Sequence, residues 1–440
     1  MKILIGRPKM SKNSELKIGA SSAAIKAEDN MVIGGGIFPL YLSGQEGELR
    51  ASAIIFQKDN TNICMVSCDV LMISKDILKD VCEEIKNELG IPFENILIYA
   101  THTHHAPTTV TLHGYQREEL FCERLKKSIL AAVKNAHDDL QESEVYFAVG
   151  NESEVGQNSR VQLDDGTVLW VPLEEKFASC KSTGPFDSDL PVIGFKTKQN
   201  KLKAMVFNHS THNIGSSANK RSPGFYGLAA QDLEKEFGGT IMFSPGACGS
   251  THNFHFSPQE LVSKIKSSVE NTYSNAKTIP VDRILSIKNE FAYKVRTFSE
   301  AEEENAVLYY CNKRKVDWCE NPQDIVTVFR KMREALKPHQ GEIRKSWLQF
   351  ILIGDIAFVA VPGELFGKLA MEIKKNSPFK NTYIVGYAND HIGYIPDKDA
   401  FKLGGYQIWT GFHSVIEKGF GEILVKEVLD ILNNLKVHNS

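Results

Sequence analysis

Histidines that follow predicted β-strands are the residues of this 440-residue chain whose type and spacing most clearly indicate chemistry. In an extended strand residues i and i+2 point the same way, so His102 and His104 of THTHH can face one cavity. A second pair, His209 and His212, follows another predicted strand, and Glu364 adds a carboxylate at an equivalent position. This clustering predicts a bound transition metal. The full set of histidines in such segments is His102, His104, His105, His209, His212, His252, His255 and His391.

The donor types narrow the choice of metal. Imidazole and carboxylate without thiolate suit zinc best, and manganese, iron and nickel share these preferences. Cys248 is the one cysteine in the candidate segments. The eight cysteines form no CxxC pair and several lie in apolar runs, so we expect reduced and mostly buried thiols. We therefore predict one Zn²⁺ per chain as the cofactor.

Three segments with one hydrophobic pattern position these residues. Each pattern predicts two short strands, a helix and a third strand, which together form a ββαβ repeat. The predicted ranges are 51–56, 62–68, 74–89 and 94–100 for the first, 191–197, 202–208, 226–237 and 239–244 for the second, and 347–353, 356–361, 365–375 and 381–387 for the third. We therefore expect an α/β fold with mixed β-sheets flanked by helices. Asp69, His209 and Glu364 follow the second strands, and the ends of strands are where such sheets bind ligands.

The remaining elements predict a single catalytic domain over residues 1–440. A helix is expected near 116–137, and another begins at Ser257, where Ser-Pro-Gln-Glu resembles a capping box. The charged stretch near 299–336 predicts a helical insertion. The glycine-rich segment IGGGI, residues 33–37, lacks the GxGxxG spacing of nucleotide-binding loops and predicts a simple turn.

Composition excludes several classes of function. A formal net charge of -3 with no basic block argues against a nucleic-acid partner. The hydrophobic content of 42% includes no run of about 18 apolar residues, so we expect no integral membrane association. The apolar run near the N-terminus is shorter than that of a secretory signal, which predicts a cytoplasmic protein. We expect its partner to be a small-molecule substrate. The sequence leaves the oligomeric state open.

Several motifs resemble those of the neutral, non-lysosomal ceramidases, in the same order along the chain. They are THTHHAP (101–107), VFNHSTHN (206–213), VPGELF (361–366) and GYANDHIGYIPDKDAFKLGGY (386–406), with GASSAAI (19–25) and VSCDVLMIS (66–74) nearer the N-terminus. The resemblance implies one zinc ion held by His102, His209, Glu364 and Tyr394. It also implies that His104 and Tyr406 contact the substrate or the metal-bound water, and that Arg160 lies at the reacting polar group.

Two departures from the family pattern bear on substrate and mechanism. Where the family has Gly-Asp-x-Ser, this chain has Gly249-Ser250-Thr251-His252, so a histidine stands in the position of a proposed catalytic serine. The chain also ends soon after its third repeat, so we expect no C-terminal immunoglobulin-like domain. We likewise expect no secretion signal at its N-terminus. We therefore do not expect ceramide in a membrane to be the substrate.

The leading functional hypothesis is a zinc-dependent hydrolase of an amide or related acyl bond in a small polar or amphiphilic substrate. Metal-bound water would be the nucleophile, with His104 or His252 transferring protons and Arg160 or Tyr406 stabilising the oxyanion. His252 would then titrate near neutral pH. Asp69 either orients a metal ligand or caps the predicted helix that begins near Ser74. The alternative is that Asp69 itself ligates the metal.

Two other hypotheses stay open at this point. The same metal could act as a Lewis acid for an isomerase, epimerase or lyase acting on a sugar-derived metabolite. The side chains suited to a hydroxyl-rich ligand are Asp69, Asn213, Asn389, Asp390 and His391. A non-catalytic metal-binding scaffold is the third hypothesis, although such a site would normally be closed by four ligands with no surplus histidine.

Overall fold

The fold is described from a computed structural model, which covers residues 15–166, 168–170, 181–216, 219–253, 256–314 and 321–437. The strands are β1 (Lys17–Ala24), β2 (Val32–Ile33), β3 (Leu40–Tyr41), β4 (Arg50–Lys58), β5 (Thr61–Cys68), β6 (Ile96–Ala100), β7 (Gln141–Asn151), β8 (Gln157–Asn158), β9 (Arg160–Gln162), β10 (Val168–Trp170), β11 (Lys181–Ser182), β12 (Asp189–Thr197), β13 (Leu202–His209), β14 (Thr240–Pro245), β15 (Thr251–His252), β16 (Lys277–Ile279), β17 (Ile284–Lys294), β18 (Ile343–Ile353), β19 (Ile356–Ala360), β20 (Glu364–Leu365), β21 (Asn381–Val385) and β22 (Tyr394–Ile395).

The helices are α1 (Lys75–Leu89), α2 (Glu119–Asp138), α3 (Gly224–Phe237), α4 (Pro258–Ser274), α5 (Glu300–Arg314), α6 (Pro322–Leu336), α7 (Gly367–Asn376), α8 (Ala400–Leu403) and α9 (Phe420–Val437). In the described part of the chain no helix is both long enough and apolar enough to cross a bilayer. Ser257 accepts a hydrogen bond from the Glu260 backbone N–H and completes the capping box predicted for α4.

Two β-sheets packed face to face form the centre of the molecule. The larger sheet has the strand order β14-β13-β12-β7-β1-β4-β5-β6, with β16 on β7, and the smaller has the order β17-β18-β19-β21. A core that includes Phe56, Met65, Phe195 and Phe358 lies between them. Helices α1 and α2 cover the outer face of one half of the large sheet, α3 and α4 cover the other half, and α7 and α9 cover the small sheet. The expected mixed α/β architecture is confirmed.

Burial on both faces explains why the central strands are apolar without interruption. In β5, Cys64 and Val66 contact the core under α1, whereas Ile63 and Met65 contact the core between the sheets. Because successive side chains point to opposite faces, a strand between two cores needs apolar residues at every position. The run NICMVSC in the sequence is therefore the signature of a strand in an inner layer.

The same pairing recurs in three segments. β4 pairs antiparallel with β5, and β5 pairs parallel with β6 across α1. β12, β13 and β14 are paired in the same way around α3, as are β18, β19 and β21 around α7. Parallel pairing brings the carboxyl ends of the second and third strands of each segment to one edge.

Some predicted boundaries and assignments need adjustment. The stretch expected to begin a strand at residue 94 is a short 3₁₀ turn, Phe93–Asn95, before β6. The region near 299–336 contains α5 and α6, while residues 315–320 lie outside the described residues. Six cysteines are free and buried, and Cys180 and Cys319 lie outside the described part, as does His255.

Candidate metal centre

Backbone hydrogen bonds join the ends of the strands of all three segments. The Ala100 N–H donates to the Tyr387 carbonyl at 3.2 Å, which links the end of β6 to the loop after β21. The Gly386 N–H donates to the Pro245 carbonyl at 2.9 Å, which links the same loop to the end of β14. The loops that leave these strands carry the predicted histidines, so the fold delivers them to one place.

Three imidazoles and one carboxylate meet there. The ligating nitrogens of His102, His104 and His212 lie within 4.8 Å of one another. His102 Nε2 is 3.3 Å from His104 Nε2, and Glu364 Oε2 is 3.7 Å from His102 Nε2 and 3.3 Å from His212 Nε2. Donors about 2.0–2.1 Å from a tetrahedral ion are about 3.4 Å apart, so these three spacings fit a zinc-sized ion.

Hydrogen bonds fix the tautomers of two of the imidazoles. His102 Nδ1 is 2.9 Å from the Leu71 carbonyl oxygen, and His212 Nδ1 is 2.8 Å from the Thr251 carbonyl oxygen. A carbonyl only accepts, so each Nδ1 carries a proton, and Nε2 is the nitrogen left to face the group. This is the arrangement in which a protein orients a metal-binding histidine. Burial lowers the pKa of His102 well below its usual value, which keeps the ring neutral and able to ligate.

Glu364 brings a buried carboxylate into this group without a lysine or arginine partner. In the described part of the chain its ion-pair contacts are the two histidines, and its side chain is 2% exposed. The Tyr387 hydroxyl donates to Glu364 Oε2 at 3.4 Å, and Tyr394 also hydrogen-bonds to this carboxylate. The Tyr394 backbone pairs directly with Glu364 because β20 and β22 are parallel neighbours. A buried carboxylate with no lysine or arginine partner is costly unless a cation is present, so the donor set fits a dication.

His104 fits the site because residue 35 is a glycine. A Cβ at residue 35 would lie 2.4 Å from His104 Nδ1, and Gly35 has φ +106°, a conformation that side chains disfavour. The segment IGGGI, predicted to be only a turn, therefore forms one wall of the site.

His209, predicted as a metal ligand, does not join the group. Its Nε2 donates to the Glu152 carbonyl at 2.9 Å, and its Nδ1 accepts from the Tyr226 hydroxyl at 2.5 Å. Both nitrogens are therefore used in fully buried contacts with Glu152, the residue after β7, and with Tyr226 of α3. The prediction for His209 does not agree with this geometry, because His212, three residues later, takes the place expected for it.

His252 lies against the group, and its neighbours in the chain have structural roles. The His252 ring stacks on His212 with centroids 5.3 Å apart, and its Nδ1 accepts from the Asn253 N–H at 3.0 Å, which leaves the ring proton on Nε2. Burial lowers the pKa of His252 well below its usual value, contrary to the expected titration near neutral pH. The Ser250 hydroxyl accepts from the Gly367 N–H at 3.1 Å, and the Thr251 hydroxyl donates to the Ser210 carbonyl.

Arg160 and Tyr406 meet at the loop over residues 400–407. Arg160 donates to the Gln407 side chain at 2.9 Å and to the Gly404 carbonyl at 2.6 Å, so it holds this loop. Burial lowers the pKa of Arg160 to about 10, which still leaves it charged at neutral pH. The Tyr406 hydroxyl donates to His113 Nε2 at 3.3 Å, because His113 Nδ1 carries the proton shared with the Gly36 carbonyl.

Comparisons with known proteins agree with this architecture. A family model described as neutral/alkaline non-lysosomal ceramidase, N-terminal, matches residues 27–241. The crystal structure of neutral ceramidase from Pseudomonas aeruginosa has a TM-score of 0.70 at 14% identity, covering 96% of this chain and 75% of that one. A ceramidase complexed with C2 has a TM-score of 0.74 at 13% identity, covering 96% and 76%. Residues 27–241 therefore match a ceramidase-like family in sequence, and nearly the whole chain shares the fold of these ceramidases. Among curated proteins no sequence matches.

The resemblance deduced from motifs is thus confirmed at the level of the family. Neutral ceramidases are hydrolases that cleave amide bonds. The range matched by the family model contains His102, His104 and His212 and ends before Glu364. The structural likeness covers the rest of the ceramidase-like chain and shows the fold alone.

Asp69 hydrogen-bonds to the backbone of Arg50 and to Thr101, the residue before His102. Its Oδ2 accepts from the Arg50 N–H at 3.0 Å, and its Oδ1 accepts from the Thr101 hydroxyl at 3.2 Å. Thr101 directly precedes His102, so Asp69 holds the loop that carries this candidate ligand. Desolvation raises the pKa of Asp69 to about 7. The helix-capping alternative does not fit, since Asp69 makes these bonds and not one to α1.

Three of the other polar side chains expected to suit a sugar are bonded to the protein, whereas neither ring nitrogen of His391 has a hydrogen-bond partner among the described residues. Asn213 donates to the Pro223 carbonyl at 2.9 Å, and Asn389 donates to the Gln349 side chain at 2.9 Å. Asp390 accepts from the Ser346 hydroxyl at 2.8 Å. These bonds hold the loops of the site in place.

Sequence reasoning missed Tyr387, whose ring stacks on His102 with centroids 3.9 Å apart. It belongs to the YAN segment, but the resemblance directed attention to Tyr394. Tyr387 has φ +55°, an unusual backbone conformation for a large residue, and no sequence pattern predicts that conformation.

Proposed function

We propose that this protein is a zinc-dependent hydrolase that cleaves an amide or related acyl bond in a small polar or amphiphilic substrate. The observation that carries the proposal is that His102 Nε2 and His212 Nε2 both contact the buried Glu364 carboxylate, 3.7 and 3.3 Å from its Oε2. Two histidines and one glutamate are a ligand set of known catalytic zinc sites. The match to a family of amide hydrolases supports the same reaction.

In this proposal His102, His212 and Glu364 hold the ion, with Tyr394 as the candidate fourth ligand. A zinc ion bound there would supply a Lewis acid and would lower the pKa of water toward neutrality. Tyr387 and Tyr394 hydrogen-bond to Glu364 and orient its carboxylate. The ligand set differs from the one implied by the resemblance in that His212 replaces His209.

Residues around the ion would handle protons and orient the substrate. His104 borders the ligand set, with its Nε2 3.3 Å from His102 Nε2, and in this proposal it does not ligate the ion but takes a proton from the attacking water and returns it to the leaving amine. His252 carries a proton on Nε2 and can donate a hydrogen bond to the developing oxyanion. Tyr406 would contact the substrate, and Arg160 would position the loop that carries it.

Product analysis tests the reaction type. The full chain, loaded with zinc, should convert short N-acyl amides into two fragments, a carboxylic acid and an amine, both detected by mass spectrometry. Glu364→Gln should abolish release of both. Recovery of a single product with the mass of the substrate would point to isomerisation, and undiminished hydrolysis by Glu364→Gln would remove this site from the reaction.

We infer that the three ββαβ segments are copies of one repeat, supported by their identical pairing. We also propose that residues 1–440 act as one catalytic domain in which α5 and α6 are the inserted helical pair. The cytoplasmic location stays a prediction.

A further inference from the structure

A cavity of about 400 Å³ lies between α1 and the first two strands of the smaller sheet. Leu78 and Cys82, one helical turn apart on α1, form one side of it. Phe93, Lys288 on β17 and Trp347 on β18 form the other side. The walls are mainly apolar, and the volume is that of a small-molecule site.

Each of two aromatic rings in this cavity has a lysine ammonium group against its face. Phe93 and Trp347 pack edge to face with centroids 5.3 Å apart. Lys288 Nζ lies 3.8 Å from the Phe93 ring centre, and Lys75 Nζ lies 4.2 Å from the Trp347 ring centre. An apolar space is thus bordered by two cations held against π faces.

Lys288 has no anionic partner. Its Nζ donates to the Ile96 carbonyl at 2.7 Å and to Asn389 Oδ1 at 3.3 Å, both of which are neutral. Within the described ranges no carboxylate lies within 4.0 Å of this ammonium, and burial lowers the pKa of Lys288 to about 8. A mostly buried cation with only neutral acceptors is short of one negative charge.

The rim of the cavity adds to this positive charge. Lys79 and Lys86 lie on the same face of α1 and have no ion-pair partner among the described residues. Glu83 is the one carboxylate residue in the lining, against four lysines. Lys75 lies 3.9 Å from Asp390, which is a weak pairing at a partly exposed position. The site is therefore cationic in a protein whose formal net charge is -3.

We propose that this cavity binds a medium-chain alkyl carboxylate. The chain would lie between Leu78, Cys82 and the two rings, and the carboxylate would pair with the Lys288 ammonium. A single negative charge on an apolar body matches one inner cation and apolar walls, whereas a phosphate would keep too much hydration to enter. The inference is independent of the proposed function, because none of these residues belongs to the donor group around Glu364.

Titration calorimetry on the full chain tests the site with octanoate as the probe. Octanoate should bind, and octan-1-ol and octylammonium should bind at least tenfold more weakly, since neither supplies the missing negative charge. Lys288→Met keeps the length of the side chain and should weaken octanoate at least tenfold. Lys127→Met, which removes an exposed lysine of α2, is the matched control and should leave binding unchanged.

A second variant covers the case in which Lys288→Met fails to fold. Lys75→Gln changes an exposed side chain, so the fold should persist, and octanoate should bind about threefold or more weakly. Quenching of tryptophan fluorescence by octanoate should disappear in Trp347→Phe. The proposal is overturned if octanoate fails to bind the unmodified chain, if octan-1-ol binds equally well, or if both lysine variants retain full affinity.

Discussion

Two histidines three residues apart, His209 and His212, lie in opposite environments. His209 ends β13 and uses both ring nitrogens for bonds to Glu152 and Tyr226. His212 uses only Nδ1, on the Thr251 carbonyl, and directs Nε2 toward the Glu364 carboxylate. The difference makes His212 the candidate ligand of the pair, because one of its ring nitrogens is left free of bonds to the rest of the protein, whereas both nitrogens of His209 are used.

Glu364→Gln should have the largest effect in the region of His212. The variant keeps the shape of the side chain and removes the carboxylate charge that would bind the ion. Changes behind a ligand already cost about 10- to 100-fold in metal affinity, so loss of a ligand charge should cost more than about 100-fold. Competition with a chromogenic zinc chelator measures this affinity. An affinity equal to that of the unmodified protein would show that Glu364 is not a ligand.

His209→Gln should affect stability and not metal binding. The change leaves the Glu152 carbonyl and the Tyr226 hydroxyl with poorer partners in a buried place, which costs about 1–3 kcal/mol. Urea denaturation measures the loss, and the same chelator competition should return the zinc affinity of the unmodified protein. A variant that is stable but unable to bind zinc would restore His209 to the ligand set.

Gly35→Ala should reduce turnover about tenfold or more while zinc stays bound. The new methyl group would clash with the His104 ring and displace it from His102. The proposed proton transfer depends on the position of this ring. Gly419 also has positive φ but has nothing near its Cβ position, so Gly419→Ala reports the backbone cost alone. If both variants lose the same activity, the His104 contact is irrelevant.

Asp69 should give the smallest effect, seen as a pH dependence of stability. Its pKa is raised to about 7 in the fold, so between about pH 4 and 7 the folded state holds a proton that the unfolded state has lost. Its contribution to stability is therefore present at low pH and falls as the pH rises, by about 1 kcal/mol per unit. Asp69→Asn should flatten the slope of unfolding free energy between pH 5.5 and 6.5, whatever its fixed cost. An unchanged slope in Asp69→Asn would contradict the raised pKa of Asp69.

The sequence was sufficient for features set by local pattern. Unbroken apolar runs identified the inner strands of both sheets. Strand alternation predicted that His102 and His104 face the same side, and their rings do meet, but in the loop after β6, where His102 has φ +58° and is not extended. The position of Glu364 after the second strand of its segment likewise predicted its place at the common edge.

Tertiary contacts decided what the pattern left open. The choice between His209 and His212 depends on where the chain turns after β13 and on the Tyr226 hydroxyl, which belongs to α3. The role of Gly35 depends on the approach of a ring 69 residues later in the chain, and Tyr387 reaches His102 only through positive φ. Neither the spacing of residues nor the composition predicts these tertiary contacts.

Anomalous diffraction at the zinc absorption edge, from crystals grown with zinc, tests the central claim most directly. We expect one strong peak per chain, about 2.0–2.1 Å from His102 Nε2, His212 Nε2 and Glu364 Oε2. His209 should keep its bonds to Glu152 and Tyr226. A peak beside His209, or an empty group around Glu364 in crystals containing excess zinc, would contradict the account.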